Sequence, residues 1–276
     1  MSAWRDPEIT RAIRAALEED IGCGDVTTES CVPAEARASG VFLVRQPLLL
    51  AGVELLEEIY ETLGGVQCLE LLHASGEEMP AGETVARVGG RTRTLLTAER
   101  TALNFLQRLS GVATLARQFA RAVDGTRCRV LDTRKTTPGM RRLEKLAVAA
   151  GGASNHRFGL FDAILIKNNH IAAAGGVTQA LERARSTGKP VQIEARTMAE
   201  IDEALAGGAD HLLLDNFSVS DVAAAVRRIH GRARVEVSGG VTLATVRAYA
   251  ETGADFVSVG ALTHSAPAAD LSFRLC

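Results

Sequence analysis

Six short apolar runs in the C-terminal half of the chain each end on a residue able to carry charge, donate a hydrogen bond or let backbone approach a ligand. The run at 129–132 closes on Asp132 and leads into Thr133, Arg134 and Lys135. The next, 163–167, closes on Lys167, followed by 191–194 on Glu194 and 211–215 on Asp215. The last two close on Ser238-Gly239-Gly240 and on Val259-Gly260-Ala261. Arg134 offers a planar fork that fits a carboxylate or phosphate, and Lys135 a point charge. His156 and Arg157 precede the second run; His156 suits an anion or acid–base work, or a purely structural role. Lys167 suits pyrophosphate as an ammonium, or a Schiff base as in barrel aldolases. Glu194 and Asp215 would repel phosphate. They suit the hydroxyls of a ribose or the positive charge developing at its C1, and they could pair with Lys135 or Lys167. The glycines let backbone N–H groups cradle a phosphate, or they simply make turns.

These residues need elements that bring them together. From about residue 128 the apolar runs alternate with helical stretches at 177–186, 198–206, 219–230 and 243–252. Such βα alternation implies a parallel sheet, and in a parallel barrel the carboxyl ends of the strands share one mouth. Too few units are present for an eight-fold barrel, so an incomplete TIM-like α/β barrel is expected. Residues 1–110 read differently, as an α+β sandwich. Helical stripes run over 7–20, 53–63 and 98–109, with strand-like runs at 41–44, 69–72 and 84–88. The expected division is a sandwich domain over 1–110, joined by 268–276, and a barrel over 111–267. Arg141, Arg142 and Lys145 recur at helical spacing and read as a solvated face. His170 carries no assignment.

The 276-residue chain has a formal net charge of -2 and 23% charged residues, so nothing global points to nucleic acid. Any grip on anions has to come from local clustering. Five cysteines, an odd number with no CxxC pair, argue against a disulfide framework and a structural zinc site. MSAWRDPEIT lacks an apolar leader core, and no apolar run approaches membrane-span length. The cytoplasm is the expected compartment, with no membrane partner.

The motifs DTRKTTPG at 132–139, GGASNHRFGLFDAILIKNNHI at 151–171 and LLLDN at 212–216 resemble quinolinate phosphoribosyltransferases. So do the SGG and VGA tails and TAERTALNFLQRLSG at 97–111, and the resemblance covers nearly the whole chain. It implies a step of de novo NAD biosynthesis. Quinolinate and phosphoribosyl pyrophosphate would give nicotinate mononucleotide, pyrophosphate and carbon dioxide, with Mg2+ accompanying the pyrophosphate. It also implies a homodimer in which Arg100 reaches the partner's site to meet a quinolinate carboxylate. Arg134, His156 and Arg157 would bind the same dicarboxylate. Thr133 would line the site, and Lys135 and Lys167 would serve the phosphates. Glu194 and Asp215 would hold ribose hydroxyls and metal-associated groups. Ser238, Gly239, Gly240, Val259, Gly260 and Ala261 would cradle the 5′-phosphate. A paralogous pyrophosphorylase of the molybdenum-associated or nicotinate-specific kind, and a class I aldolase using Lys167, are the alternatives. One position departs from the family's pattern. Where the family often reads two carboxylates, as in VEVEV, this chain has Val191-Gln-Ile-Glu194, with Gln192 in the first acid's place. Alternate strand residues share a face, so Gln192 and Glu194 are expected to point the same way.

Overall fold

A computed structural model describes residues 3–276. In chain order the first elements are α1 (Pro7–Ile21), α2 (Val26–Cys31), β1 (Arg37–Val44), β2 (Leu48–Leu49) and α3 (Leu55–Thr62). Then come β3 (Cys68–Leu71), β4 (Glu78–Met79), β5 (Thr84–Arg91) and α4 (Thr92–Ala122). The middle of the chain forms β6 (Arg129–Leu131), α5 (Arg141–Ala150), β7 (Ile164–Ile166), α6 (Asn168–Ala174), α7 (Val177–Arg185) and β8 (Val191–Ala195). The remainder is α8 (Met198–Ala206), β9 (His211–Asp215), α9 (Val219–Ile229), β10 (Arg234–Ser238), α10 (Val246–Glu251), β11 (Phe256–Ser258), α11 (Ala261–His264) and β12 (Leu271–Leu275).

The chain divides into two compact units. One gathers residues 1–117, 136–152 and 265–276; the other gathers 118–135 and 153–264. The first unit holds an antiparallel sheet in the order β12-β1-β5-β3. β12 lies against β1 with Phe273 opposite Phe42, their ring centroids 4.9 Å apart. α1 shows why its sequence folds as it does. Asp6 accepts the Glu8 N–H at 2.9 Å, Pro7 opens the first turn, and Ile9, Ile13 and Leu17 form one buried stripe.

Within this unit α5 departs from the expected solvated face. Lys145 is only 3% exposed, and Arg142 pairs with Asp6 at 3.0 Å. The helix is amphipathic the other way round. Glu144, fully buried, accepts from Arg108 at 2.7 and 3.0 Å and from the Thr137 N–H and hydroxyl. With Lys145 buried and Arg142 paired to Asp6, cations at helical spacing do not mark a solvent face here.

The second unit is a six-stranded parallel sheet in the order β6-β11-β10-β9-β8-β7, an incomplete barrel with its helices interleaved as the βα alternation required. β6 and β7 are the two ends. The chain between them returns at Ser154, which bridges to Leu131, and Asp132 receives the His156 N–H at 2.8 Å. Register aligns the carboxyl ends: Asp215 stands opposite Ser238, and Ser258 opposite Leu131. Among the described residues no helix is long and apolar enough to cross a membrane.

Candidate active site

The strand ends of the second unit open onto one cavity of about 770 Å3. Thr133, Arg134 and Lys135 reach it from the loop after β6, and His156 and Arg157 from the loop before β7. Lys167 enters beyond β7 and Asp215 at the end of β9. Ser238, Gly239 and Gly240 close β10, while Val259, Gly260 and Ala261 follow β11 on the same wall. Thirteen of the fifteen residues singled out from the sequence thus share one cavity. Glu194 does not line it. That residue is buried on β8, 7% exposed. Arg100 is an exposed residue of α4 in the first unit.

The cationic side is built by close approach of like charges. The Arg157 guanidinium donates to the Ala163 carbonyl at 2.9 Å. Burial, and then the nearby Arg134 charge, press its pKa below the ordinary arginine value. Two arginines that repel each other in an empty site are relieved by a ligand bearing two negative charges. Lys135 and Lys167 are not held by any carboxylate among the described residues, so their ammonium groups remain available to an anion. The Lys135 backbone is fixed instead. Its N–H donates to Thr133 Oγ1 at 3.1 Å, and its carbonyl accepts from the buried Thr263 hydroxyl at 2.8 Å. His170 acquires a role here: Nδ1 accepts the Lys167 N–H at 2.9 Å, which caps α6 and fixes the chain at Lys167.

The glycine loops are shaped by contact. Gly239 has φ 101°, and a Cβ there would meet Asn216 Oδ1 at 2.2 Å and its backbone nitrogen at 2.9 Å. A Cβ on Gly260 would meet the Lys135 side chain at 3.0 Å and the His264 ring at 3.2 Å. Gly240 has φ 61° and open space beyond it. Glycine at 239 and 260 is thus demanded by neighbouring protein atoms, while Gly240 borders open space.

Several residues on the wall escaped the sequence. Asn216 adopts φ 61°, a left-handed conformation, and its Nδ2 donates to Asp215 Oδ2 at 2.9 Å, orienting that carboxylate. His264 flanks Gly260. The deepest is Glu236, fully buried in the middle of β10 yet on the cavity wall. It accepts from Gln192 Nε2 at 2.7 Å and from the Ser258 hydroxyl, and lies 3.4 Å from the Nε2 atoms of both His156 and His211. Burial alone would raise its pKa. The bonds from His156 and then His211 outweigh that and hold it well below the ordinary carboxylate range. Gln192 points inward, as expected of its place on β8.

As a metal site the wall offers little. Among the described residues no group of three or more His, Cys, Asp or Glu side chains is placed to hold a metal ion. Asp215 gives one carboxylate to the cavity, which fits a magnesium ion held mainly by substrate phosphates and water. The barrel and its mouth define an enzyme built for a multiply anionic sugar phosphate.

Comparison with known proteins narrows that class. The N-terminal domain of quinolinate phosphoribosyl transferase matches residues 25–110, and its C-terminal domain matches 112–274. A nicotinate-nucleotide pyrophosphorylase [carboxylating] of Mycobacterium leprae is 41% identical, covering 95% of each chain. A probable counterpart in Bacillus subtilis is 39% identical, over 92% of this chain and 89% of that one. The solved nicotinate-nucleotide pyrophosphorylase of Francisella tularensis superposes with a TM-score of 0.94 at 38% identity, covering 100% and 99% of the two chains. The chain belongs to the quinolinate phosphoribosyltransferase family. That membership sets aside the aldolase reading of Lys167.

Proposed function

We propose that the cavity is where phosphoribosyl pyrophosphate meets quinolinate, and that the chain makes nicotinate mononucleotide, pyrophosphate and carbon dioxide there. The observation that carries this is the convergence of four cations, one oriented carboxylate and two glycine loops on a single wall. Each has work in the reaction. The loops at 238–240 and 259–261 cradle the 5′-phosphate through backbone N–H groups. Lys135 and Lys167 hold the pyrophosphate and lower the cost of its departure. Asp215, fixed by Asn216, takes the ribose hydroxyls and stabilises positive charge at C1 as the bond loosens. Glu194, buried on β8 beside β9, shares the ribose hydroxyls with Asp215 in this reading. Arg134 and Arg157 serve the two carboxylates, His156 serves them through the main chain of Arg157, and together they aim the pyridine nitrogen at C1. After attack the adjacent carboxylate leaves as carbon dioxide; the electron pair stays on that ring carbon, stabilised by the neighbouring quaternised nitrogen, and takes up a proton from solvent to give nicotinate mononucleotide. No protein nucleophile is needed; positioning and electrostatics carry the rate. Asp215 would help to hold magnesium, which when bound would supply further neutralisation of the leaving group.

The same reading makes the enzyme a homodimer, with Arg100 contributed across the interface; its exposure on α4 leaves it available for that. It also places the enzyme in the cytoplasm, on the odd cysteine count. A coupled assay with phosphoribosyl pyrophosphate and magnesium, run with quinolinate and then nicotinate, tests the function. Turnover is expected with quinolinate alone. Equal turnover of nicotinate would favour a nicotinate-specific relative.

A further inference from the structure

We propose that Gln192 and Glu236 are positioning residues that lock His156 as a neutral imidazole with its proton on Nε2, so that His156 serves the anion site through the main chain of Arg157 and not as a cation. The inference rests on the quinolinate reading above and deepens it.

The chain of constraint starts at the backbone. The Arg157 N–H donates to His156 Nδ1 at 2.7 Å. A backbone N–H can only donate, so Nδ1 presents its lone pair and the ring proton sits on Nε2. That nitrogen faces Gln192 Oε1 at 3.1 Å and Glu236 Oε1 at 3.4 Å. Both ring nitrogens are thus committed to protein atoms. The amide of Gln192 is orientated in turn. Its oxygen accepts from His156, so its nitrogen must donate, and it does so to Glu236 Oε2 at 2.7 Å, with His211 Nε2 a further 3.2 Å neighbour. Glu236 is the acceptor on which the donors converge, the Ser258 hydroxyl included. A carboxylate at 192 would present two acceptors to Glu236 and to His156, and would favour a second proton on the ring. The amide removes that demand.

The charged and titratable groups facing His156 support the assignment. Glu236 lies 3.4 Å from Nε2, and Asp132, fully buried, takes the His156 backbone N–H at 2.8 Å. His211 stands on the far side of Glu236, 3.4 Å from Oε2. It lines a second cavity of about 340 Å3 with Val191, Arg234 and Phe256, at the amino ends of the strands. His156, Arg157 and Glu236 border both cavities, so this polar cluster is the partition between them. The positive charge offered to a dicarboxylate from this loop then comes from Arg157, whose backbone His156 holds.

The test uses the full chain labelled with 15N-histidine, after turnover of quinolinate has been checked on the same preparation. Absence of turnover would sink the functional reading while leaving the tautomer measurable. Long-range 1H–15N spectra from pH 5.5 to 8 should show His156, assigned by loss of its signal in His156→Gln, as the Nε2–H neutral form throughout. An ordinary histidine changes charge in that window, at about 6.5. An imidazolium pattern, a proton on Nδ1 or a midpoint near 6.5 would overturn the proposal. Gln192→Leu should raise KM for quinolinate on the order of tenfold, with kcat and KM for phosphoribosyl pyrophosphate little changed. Gln192→Glu should give a His156 that titrates and a KM for quinolinate that depends on pH. Unchanged KM and unchanged spectra in a folded Gln192 variant would remove Gln192 from the role.

Discussion

Asn216 and Gly239 show how tightly single residues set the phosphate end of the site. Asn216 pays conformational strain to sit at φ 61° while its amide orients Asp215 and its oxygen fills the space over Gly239. Gly239→Ala cannot be accommodated by a side-chain shift alone, because its Cβ would also meet the Asn216 backbone nitrogen at 2.9 Å. We expect this variant to fold with a loss of about 1–3 kcal/mol and to raise KM for phosphoribosyl pyrophosphate much more than KM for quinolinate; steady-state kinetics with each substrate varied will show the split. Asn216→Ala should lower kcat, because Asp215 loses its orienting donor while keeping its charge. At this scale the sequence was informative wherever a functional residue stood at the end of an apolar run. Lys167, Asp215 and Gly260 could be found by position alone. Glu236 could not: between Val235 and Val237 it reads as the outward residue of an ordinary alternating strand. The available signal was that a parallel-barrel strand is covered on both faces, so a mid-strand acid has no water to face.

Among the elements, α4 and α5 departed furthest from their sequence outlines. The apolar stripe at 98–109 was legible, but the helix runs from Thr92 to Ala122, through Gly111. That glycine is there for contact and not for flexibility: a Cβ would lie 2.0 Å from the Pro267 carbonyl oxygen. Gly111→Ala should therefore destabilise the first unit despite alanine's better helix propensity, and thermal unfolding will show the sign. α5 misled because Arg141, Arg142 and Lys145 carry no mark of the buried Glu144 they flank. The Arg108–Glu144 pair joins α4 to α5 at 2.7 Å, with the Glu144 side chain fully buried. Arg108→Ala should cost about 3 kcal/mol in denaturant unfolding, most of it from leaving Glu144 without its partner. An Arg108→Ala, Glu144→Leu double variant should recover much of that loss.

For the molecule as a whole, two outcomes separate assembly from folding. On the proposed dimer, the Arg100→Ala and Lys135→Ala proteins should each be inactive, and mixing them should restore activity by assembling one intact site. Failure of that rescue in verified mixed dimers would remove the cross-subunit role of Arg100. The buried Glu236 makes a second prediction, about acid. Its folded pKa lies below its ordinary value of 4.5, so the stability it confers is complete above that pH and drains away as pH falls beneath it. Melting temperature followed from pH 6 down to pH 3 should therefore fall more gently in Glu236→Gln than in the parent chain, from a lower starting point.

The pairing of β12 with β1 carries a consequence for how the protein is made. As the ribosome works from the amino end, Gly40 to Val44 emerge long before Leu271 to Leu275, the strand that covers this edge. Throughout elongation a row of backbone donors and acceptors, with Phe42 beside it, stays open to pairing with a neighbouring nascent chain. Nascent chains arrested before residue 271 should accordingly lean on chaperones far more than chains arrested once Leu271 to Leu275 have emerged and folded back.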